Sequence, residues 1–342
     1  MRPEDRFVER LREALSGRDE VVVGPGDDAA VVRSPAGPLV VTTDTLVENV
    51  DFLPGEDPGR LGRRAVSVGL SDLAAMGAWP DFFLLTIGFP ESAGEELPLA
   101  LALSAAKRGE EFGASLVGGD LSRATEIFLT VAVWGRPCGE VVRRSGARPG
   151  DVVFLSGWPG EAAAGLAVAR ARARAGGDRS AGGTGWTPEE LAVPDETRLL
   201  AAYREPEPRL PLGRALAREA LATAAIDVSD GLGADAGRLA RASGVRLVLE
   251  SESLPISPAL AAFAELAGRD PVAMALAGGD DYELLFTTPV GRAGRFADPP
   301  AEWGASVRRV GRIESGEGAF FEEVRGLRPI DDLGFDHFGA AP

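Results

Sequence analysis

LVVTTDTLVENVDF, running from Leu39 to Phe52, decides the fold. Its first half reads as a β-strand, and Asp44 stands beside Thr42 and Thr43 where the apolar pattern stops. That is a poor place for a lone carboxylate. Further acids recur at comparable positions: Asp27 and Asp28 in a Gly-Pro-Gly turn, Asp72 on a helix, Asp120 at a strand exit, Asp227 and Asp230 around a turn, and Asp280 and Asp281 after a Gly-Gly pair. Taken singly, each reads as a turn former or solvated cap. Gathered together they would be unstable, because two like charges about 4 Å apart repel by roughly 4 kcal/mol at an effective dielectric of about 20. Several such pairs would exceed the net stability of a typical domain, so arginine or divalent cations must intervene. Carboxylates mixed with threonine hydroxyls and backbone carbonyls form an all-oxygen set, which suits a hard ion such as Mg²⁺ and not zinc or copper.

Composition narrows the function classes. The 342 residues are 45% hydrophobic and 26% charged, ordinary for a globular chain and long enough for two domains. A net charge of −16 argues against nucleic acid and against anionic membranes as partners, and a phosphorylated substrate would need cations to screen it. Cys138 is the only cysteine, so no intramolecular disulfide can form. The first residues, MRPEDRFVERLREAL, read as a charged amphipathic helix without an apolar signal core, and a cytoplasmic protein is expected. The sole lysine, Lys107, lies in no Gly-rich GK[ST] context, which excludes a P-loop and the strand lysine of protein kinases. The sole histidine, His337, makes a Ser-His-Asp triad or a histidine general base improbable.

The periodicity predicts a helix over residues 4–16, the organising strand, and a helix from about Arg60 to Met76. On that helix Val68, Asp72 and Met76 share a stripe, so Asp72 points inward and needs a partner, either Arg64 or a cation. FFLLTIGF reads as a strand buried on both faces, followed by a helix over 94–112, the strand SLVGGD and the strand IFLTVAVWGR. Gly118 and Gly119 permit close backbone approach and set Asp120 at the strand exit. CGEVVRRSGARPGD reads as a boundary, giving α/β domains at 1–149 and 150–342. The second half begins with DVVFLSG and the loop WPGEAAAG, a weak anion-site signal, before a helix over 166–175. A Gly/Arg/Ser-rich surface loop over 175–188 and helices near 188–203 and 212–222 follow, then a strand-turn-helix around Asp227 and Asp230, a helix near 258–267, and the Asp280 turn before a strand. The tail reads as two short strands and a closing segment.

GDDAA, TTDTLVENVDF, SDLAAMGAWP, GGDLSRA, RRSGARPGD, IDVSDGL and GGDDYELLF, in this order, resemble the thiamine-monophosphate kinase family, within the aminoimidazole ribonucleotide synthetase-like superfamily. Any one of these motifs is unspecific, whereas the ordered set covers nearly the whole chain. The resemblance implies two mixed-sheet α/β (α+β) domains, the first carrying the ATP and Mg²⁺ site and the second completing the active site. It implies transfer of the ATP γ-phosphoryl group to thiamine monophosphate. It also implies Mg²⁺ ligation by Asp28, Thr42, Thr43 (through its backbone), Asp44, Asp72, Asp120 and Asp227, with Asp230 on a further ion. ATP would meet Gly119, Asp120, Arg144 and Ser229; thiamine monophosphate would meet Asp51, Asp280 and Phe335. Family members often carry His at the place of Asp51 and Tyr at that of Phe335, and usually Glu at that of Asp280. A homodimer joined through N-terminal sheets is implied by analogy. Two alternatives stay open: a sister ATP-dependent enzyme (selenophosphate synthetase-like or carbamoyl-dehydrating), or a nucleotide- or divalent-ion sensor without turnover.

Overall fold

The structure, a computed structural model, describes residues 3–15, 19, 21–23, 31–33, 37–175 and 195–335. The turn with Asp27 and Asp28, most of the Gly/Arg/Ser-rich loop and His337 lie outside the described residues. The chain divides into two compact units, one of Met1–Leu73 with Ala78–Pro137, the other of Ala74–Gly77 with Cys138–Pro342.

The first unit comprises α1 (Pro3–Ala14), β1 (Val21–Val23), β2 (Val31–Val32), β3 (Val40–Val47), α2 (Pro58–Ala75), β4 (Ala78–Phe89), α3 (Glu96–Glu111), β5 (Ser115–Arg123) and β6 (Phe128–Pro137). Proline opens α2 at its first helical position, and Gly77 in a left-handed conformation follows its end. The main sheet has the order β3-β6-β4-β5, antiparallel except for the β4–β5 pair that α3 connects. β6 shows the period of two directly: Leu129, Val131 and Val133 are buried, whereas Phe128, Thr130, Ala132 and Trp134 are half-buried. The buried row lies beneath α2, where Gly69 sits against Val131 and Val133. FFLLTIGF departs at Leu84 from its expected burial on both faces, although Phe82 on that same outer face is 3% exposed. Leu84, paired with Ala132, is 36% exposed, and Val41 on β3 is 65% exposed, because both lie on the face away from α2.

The second unit comprises β7 (Asp151–Ser156), α4 (Glu161–Ala175), α5 (Glu196–Arg204), α6 (Leu210–Arg218), β8 (Ala224–Val228), α7 (Leu232–Ser243), β9 (Arg246–Glu250), α8 (Pro258–Ala267), α9 (Pro271–Ala277), β10 (Glu283–Pro289), β11 (Val307–Glu314), β12 (Gly318–Glu323) and β13 (Gly326–Pro329). Its sheet runs β13-β12-β9-β11-β7-β10-β8, with β9–β12 parallel and the remaining pairs antiparallel. Val153, Leu155, Ile226, Val228 and Leu285 form one core with α4, α5, α7, α8 and α9. On alternate residues of the same strands, Phe154 and Phe286 stack on each other and meet Phe296, which contacts Trp303. α4, α9 and β13 differ from the sequence expectation, β13 making the tail three strands and not two. α4 starts at Glu161, well before Leu166. α9 is additional, capped by Asp270, whose carboxylate accepts the Val272 N–H at 2.9 Å, with Pro271 at its first position.

Candidate active site

In the first unit, alternation along β3 puts Thr42 and Asp44 toward α2 and Thr43 on the opposite, exposed face. On α2, Asp72 accepts a 2.5 Å hydrogen bond from the Thr42 hydroxyl. Thr42 is thus the hydrogen-bond partner that the inward-facing Asp72 required. Gly69 lets the helix come close enough that an added Cβ would stand 3.6 Å from Asp44 Oδ2 and 3.2 Å from Val133. Asp44 Oδ2 is enclosed and makes no hydrogen bond among the described residues. Burial first, and then the Asp72 charge, push the Asp44 carboxyl up to about 7. An enclosed carboxylate oxygen beside a second carboxylate and a hydroxyl is the donor set a hard cation takes. No group of three His, Cys, Asp or Glu able to hold a metal occurs among the described residues. Asp28 lies outside them.

Asp120 stands elsewhere. The register aligns Thr45, Thr130, Thr86 and Asp120 across the four strands, and Thr45 and Thr130 share a 2.9 Å hydroxyl hydrogen bond on the face away from α2. Asp44 belongs to the neighbouring row, with Val131, Leu85 and Gly119, on the other face. β3 and β5 are the two edge strands, three strand spacings or about 14 Å apart. One chain therefore joins Asp44 to Asp72 and does not join either to Asp120, whose carboxylate accepts from the Ser122 hydroxyl at 3.0 Å. Gly119 has a structural reason of its own: a Cβ there would lie 1.8 Å from the Leu85 carbonyl oxygen, so the β4–β5 pairing requires glycine. The Asp51 carboxylate accepts the Val47 N–H at 2.7 Å, closing the turn that ends β3.

In the second unit, four of the singled-out residues converge. β8 carries Asp227, 4% exposed, near its end, and the turn that follows carries Ser229 and Asp230. The Ser229 carbonyl accepts the Asp280 N–H at 2.7 Å, and the Asp230 carbonyl accepts the Phe335 N–H at 2.8 Å. Backbone hydrogen bonds thus bring together residues from three distant segments. Phe335 is 42% exposed. Asp280 and Tyr282 have φ of 66° and 50°, although neither is glycine. Such conformations cost about 1–3 kcal/mol each and persist where surrounding contacts over-determine them. Arg144 is exposed, and its guanidinium has no ion pair among the described residues; its carbonyl accepts from Ser243 Oγ at 2.9 Å.

Three residues not singled out from the sequence complete this turn. Asp235, 1% exposed on the first turn of α7, accepts the N–H groups of Ser229 and Asp230 at 3.0 and 3.1 Å. Arg238 donates to Asp235 at 2.5 Å and also pairs with Asp230. Tyr282 donates to Asp280 Oδ1 at 2.9 Å. The acidic residue near a helix N-terminus was the only sequence signal for Asp235. The loop WPGEAAAG resolves differently from an anion site: the Asp281 carboxylate accepts the N–H of Gly160 at 2.7 Å and that of Ala162 at 3.4 Å. The anion at the start of α4 is the chain's own. Withdrawal from solvent raises the Asp281 pKa well above the ordinary carboxylate value, with the two N–H groups acting against that.

Residues 26–136 match the AIR synthase related protein N-terminal domain, and residues 148–322 match the corresponding C-terminal domain. The class is therefore the two-domain AIR synthase related fold with mixed sheets. Thiamine-monophosphate kinase of Salmonella typhimurium is 36% identical over 341 residues, covering 97% of this chain and 96% of that one. The crystal structure of thiamine-monophosphate kinase from Stenotrophomonas maltophilia superimposes with a TM-score of 0.78 at 36% identity, covering 92% of this chain and 95% of that chain. AaThiL complexed with AMPPCP and TMP gives 0.74 at 31% identity, covering 97% of this chain and 95% of that chain. The chain belongs to the thiamine-monophosphate kinase family. Among the described residues no helix is long and apolar enough to cross a membrane.

Proposed function

We propose that this chain transfers the γ-phosphoryl group of ATP to the phosphate of thiamine monophosphate, giving thiamine diphosphate and ADP. The observation that carries the reading is the convergence of Ser229, Asp230, Asp280 and Phe335 on one turn, in a chain that matches thiamine-monophosphate kinases along almost its whole length. An oxygen of the acceptor phosphate, already anionic at neutral pH, attacks the γ-phosphorus; the bond to the β-phosphate oxygen breaks and ADP leaves. No general base is needed, consistent with a chain whose only histidine is His337 and only lysine Lys107. What the reaction demands is alignment of two polyanions. Arg144 offers a bidentate fork to phosphate, Ser229 a hydroxyl to the nucleotide, and Phe335 a ring face to the heteroaromatic acceptor. Asp51 and Asp280 supply further acceptor contacts.

The residues fit Mg²⁺ at Asp44, Asp72 and Thr42, where the enclosed Asp44 oxygen has no hydrogen-bond partner among the described residues and Asp72 and Thr42 add further oxygen donors. Asp28, Thr43, Asp120, Asp227 and Asp230 would complete the coordination of several ions. When bound, Mg²⁺ supplies neutralisation of the polyphosphate charge. The protein is proposed to be cytoplasmic and homodimeric, with no nucleic-acid partner. The exposed Val41 and Leu84, in rows with Trp134 and Ala132, give the first unit an apolar sheet face suited to a second copy. The placement of Asp120 on that same face supports a site to which both copies contribute. In this proposal the N-terminal domain (1–149) carries the ATP and Mg²⁺ site and the C-terminal domain (150–342) completes the active site.

Coupled ADP measurement decides the matter. Expected is ADP formation that requires thiamine monophosphate and is not supported by other phosphorylated vitamins. Nucleotide binding without turnover would favour a sensor, and ADP formation indifferent to thiamine monophosphate would favour a sister enzyme.

A further inference from the structure

We propose that Tyr282 is a positioning residue that aims the Asp280 carboxylate at the heterocyclic part of the acceptor, and that it sets the acceptor KM without acting on the nucleotide. The inference deepens the functional reading above and rests on its placement of Asp280 beside the acceptor.

GGDDY, residues 278–282, contains two neighbouring carboxylates with separate employment. Asp281 is committed to the N-terminus of α4 through Gly160 and Ala162, so it is part of the scaffold. Asp280 instead receives the hydroxyl of Tyr282 on Oδ1 at 2.9 Å. The phenol brings orientation and no charge, so it fixes the direction of the carboxylate without neutralising it. A carboxylate held this way suits a cationic or N–H-bearing ring system, which is the chemistry of a thiazolium joined to an aminopyrimidine.

The backbone supports the same conclusion. Both Asp280 and Tyr282 are in the left-handed region, and a bulky aromatic residue there is uncommon. The turn is held in this state from one side by the Ser229 carbonyl on the Asp280 N–H, and by the Val228 carbonyl on the Tyr282 N–H at 2.8 Å. The Tyr282 side chain is buried, so its hydroxyl cannot swing away without dislodging the ring. The result ties the Asp280 carboxylate to the same turn that presents Ser229 and Asp230. A purely structural tyrosine would need neither the left-handed backbone nor a hydroxyl aimed at a half-buried carboxylate.

The test is a double-mutant cycle on the full chain: wild type, Tyr282→Phe, Asp280→Asn and the pair combined. KM for thiamine monophosphate and for ATP would be determined together with melting temperature. Tyr282→Phe is expected to raise the acceptor KM about tenfold, the size of one hydrogen bond to a charged group, leaving the ATP KM and the melting temperature essentially unchanged. In the Asp280→Asn background the same substitution should add almost nothing. An unchanged acceptor KM overturns the proposal. So does a parallel rise in both KM values with a lower melting temperature, or full additivity in the cycle. If the wild type itself neither turns over nor binds thiamine monophosphate, the functional reading fails and the positioning role fails with it. An active wild type with an indifferent Tyr282→Phe variant sinks the positioning role alone.

Discussion

At the scale of single residues, Asp44 is where chemistry and stability pull in opposite directions. Its folded-state pKa of about 7 lies above the ordinary 3.8, so between those values the folded protein keeps a proton that the unfolded chain has released. Stability from this group is therefore full below about pH 4 and is lost as the pH climbs through 7, a difference on the order of 4 kcal/mol. Removing the charge should remove the loss. Asp44→Asn, compared with wild type by denaturant unfolding without divalent ions, is expected to gain on the wild type steadily from pH 4 to pH 8. Added Mg²⁺ should stabilise the wild type more at pH 8 than at pH 5 and leave the variant almost unaffected. The kcat of the variant should fall by about 10²-fold or more, as for loss of a charge-stabilising group. A constant stability difference across that pH range would dispose of the enclosed-carboxylate account, and an intact kcat would dispose of the ligand role.

At the scale of elements, the start of α4 shows what sequence could and could not disclose. Strand-loop-helix was legible from DVVFLSG and the alanine-rich run, yet what fills the helix N-terminus was not, because Asp281 arrives from 121 residues away. Local pattern carries spacing, and long-range pairing carries partners. The same limit explains Leu84: an unbroken apolar run announces a strand, but only the register with Ala132 reveals which face stays open. By contrast, Thr42 and Asp44 on one face of β3, and an inward Asp72 on α2, follow from periods of 2 and 3.6 and were readable. Asp235 and Tyr282 act through neighbours fixed only in three dimensions. The α4 junction makes its own prediction. Asp281→Ala leaves the Gly160 and Ala162 N–H groups without their acceptor and should cost about 1–3 kcal/mol, whereas Asp281→Asn retains an acceptor oxygen and should cost clearly less. Faster hydrogen exchange at those two amides in the alanine variant would locate the damage. Equal losses from both substitutions would mean that the carboxylate does not cap the helix.

At the scale of the whole molecule, the opposite placement of Asp44 and Asp120 becomes a question of how many chains make a site. The two residues share a sheet and lie on opposite faces of it, near opposite edges, so a single chain separates them. In the proposed homodimer, the face bearing Asp120, Val41 and Leu84 meets its counterpart, and Asp120 can serve the partner's nucleotide while Asp44 serves its own. Two outcomes follow. Leu84→Glu, a charge placed on the apolar face, should shift the sedimenting species from twice the 35.6 kDa chain toward the single chain, with activity falling in step. Complementation is the sharper measurement. Asp44→Asn and Asp120→Asn chains are each expected to be nearly inactive as homodimers. When they are unfolded together and refolded, half of the dimers are mixed. A trans arrangement gives every mixed dimer one site with both aspartates intact, restoring roughly a quarter of wild-type activity. If each site draws both aspartates from one chain, every site in the mixture lacks one of them and nothing is restored. Silence in that mixture, with mixed dimers demonstrated by mass, would return Asp120 to its own chain and leave its separation from Asp44 to be met by two distinct cation positions.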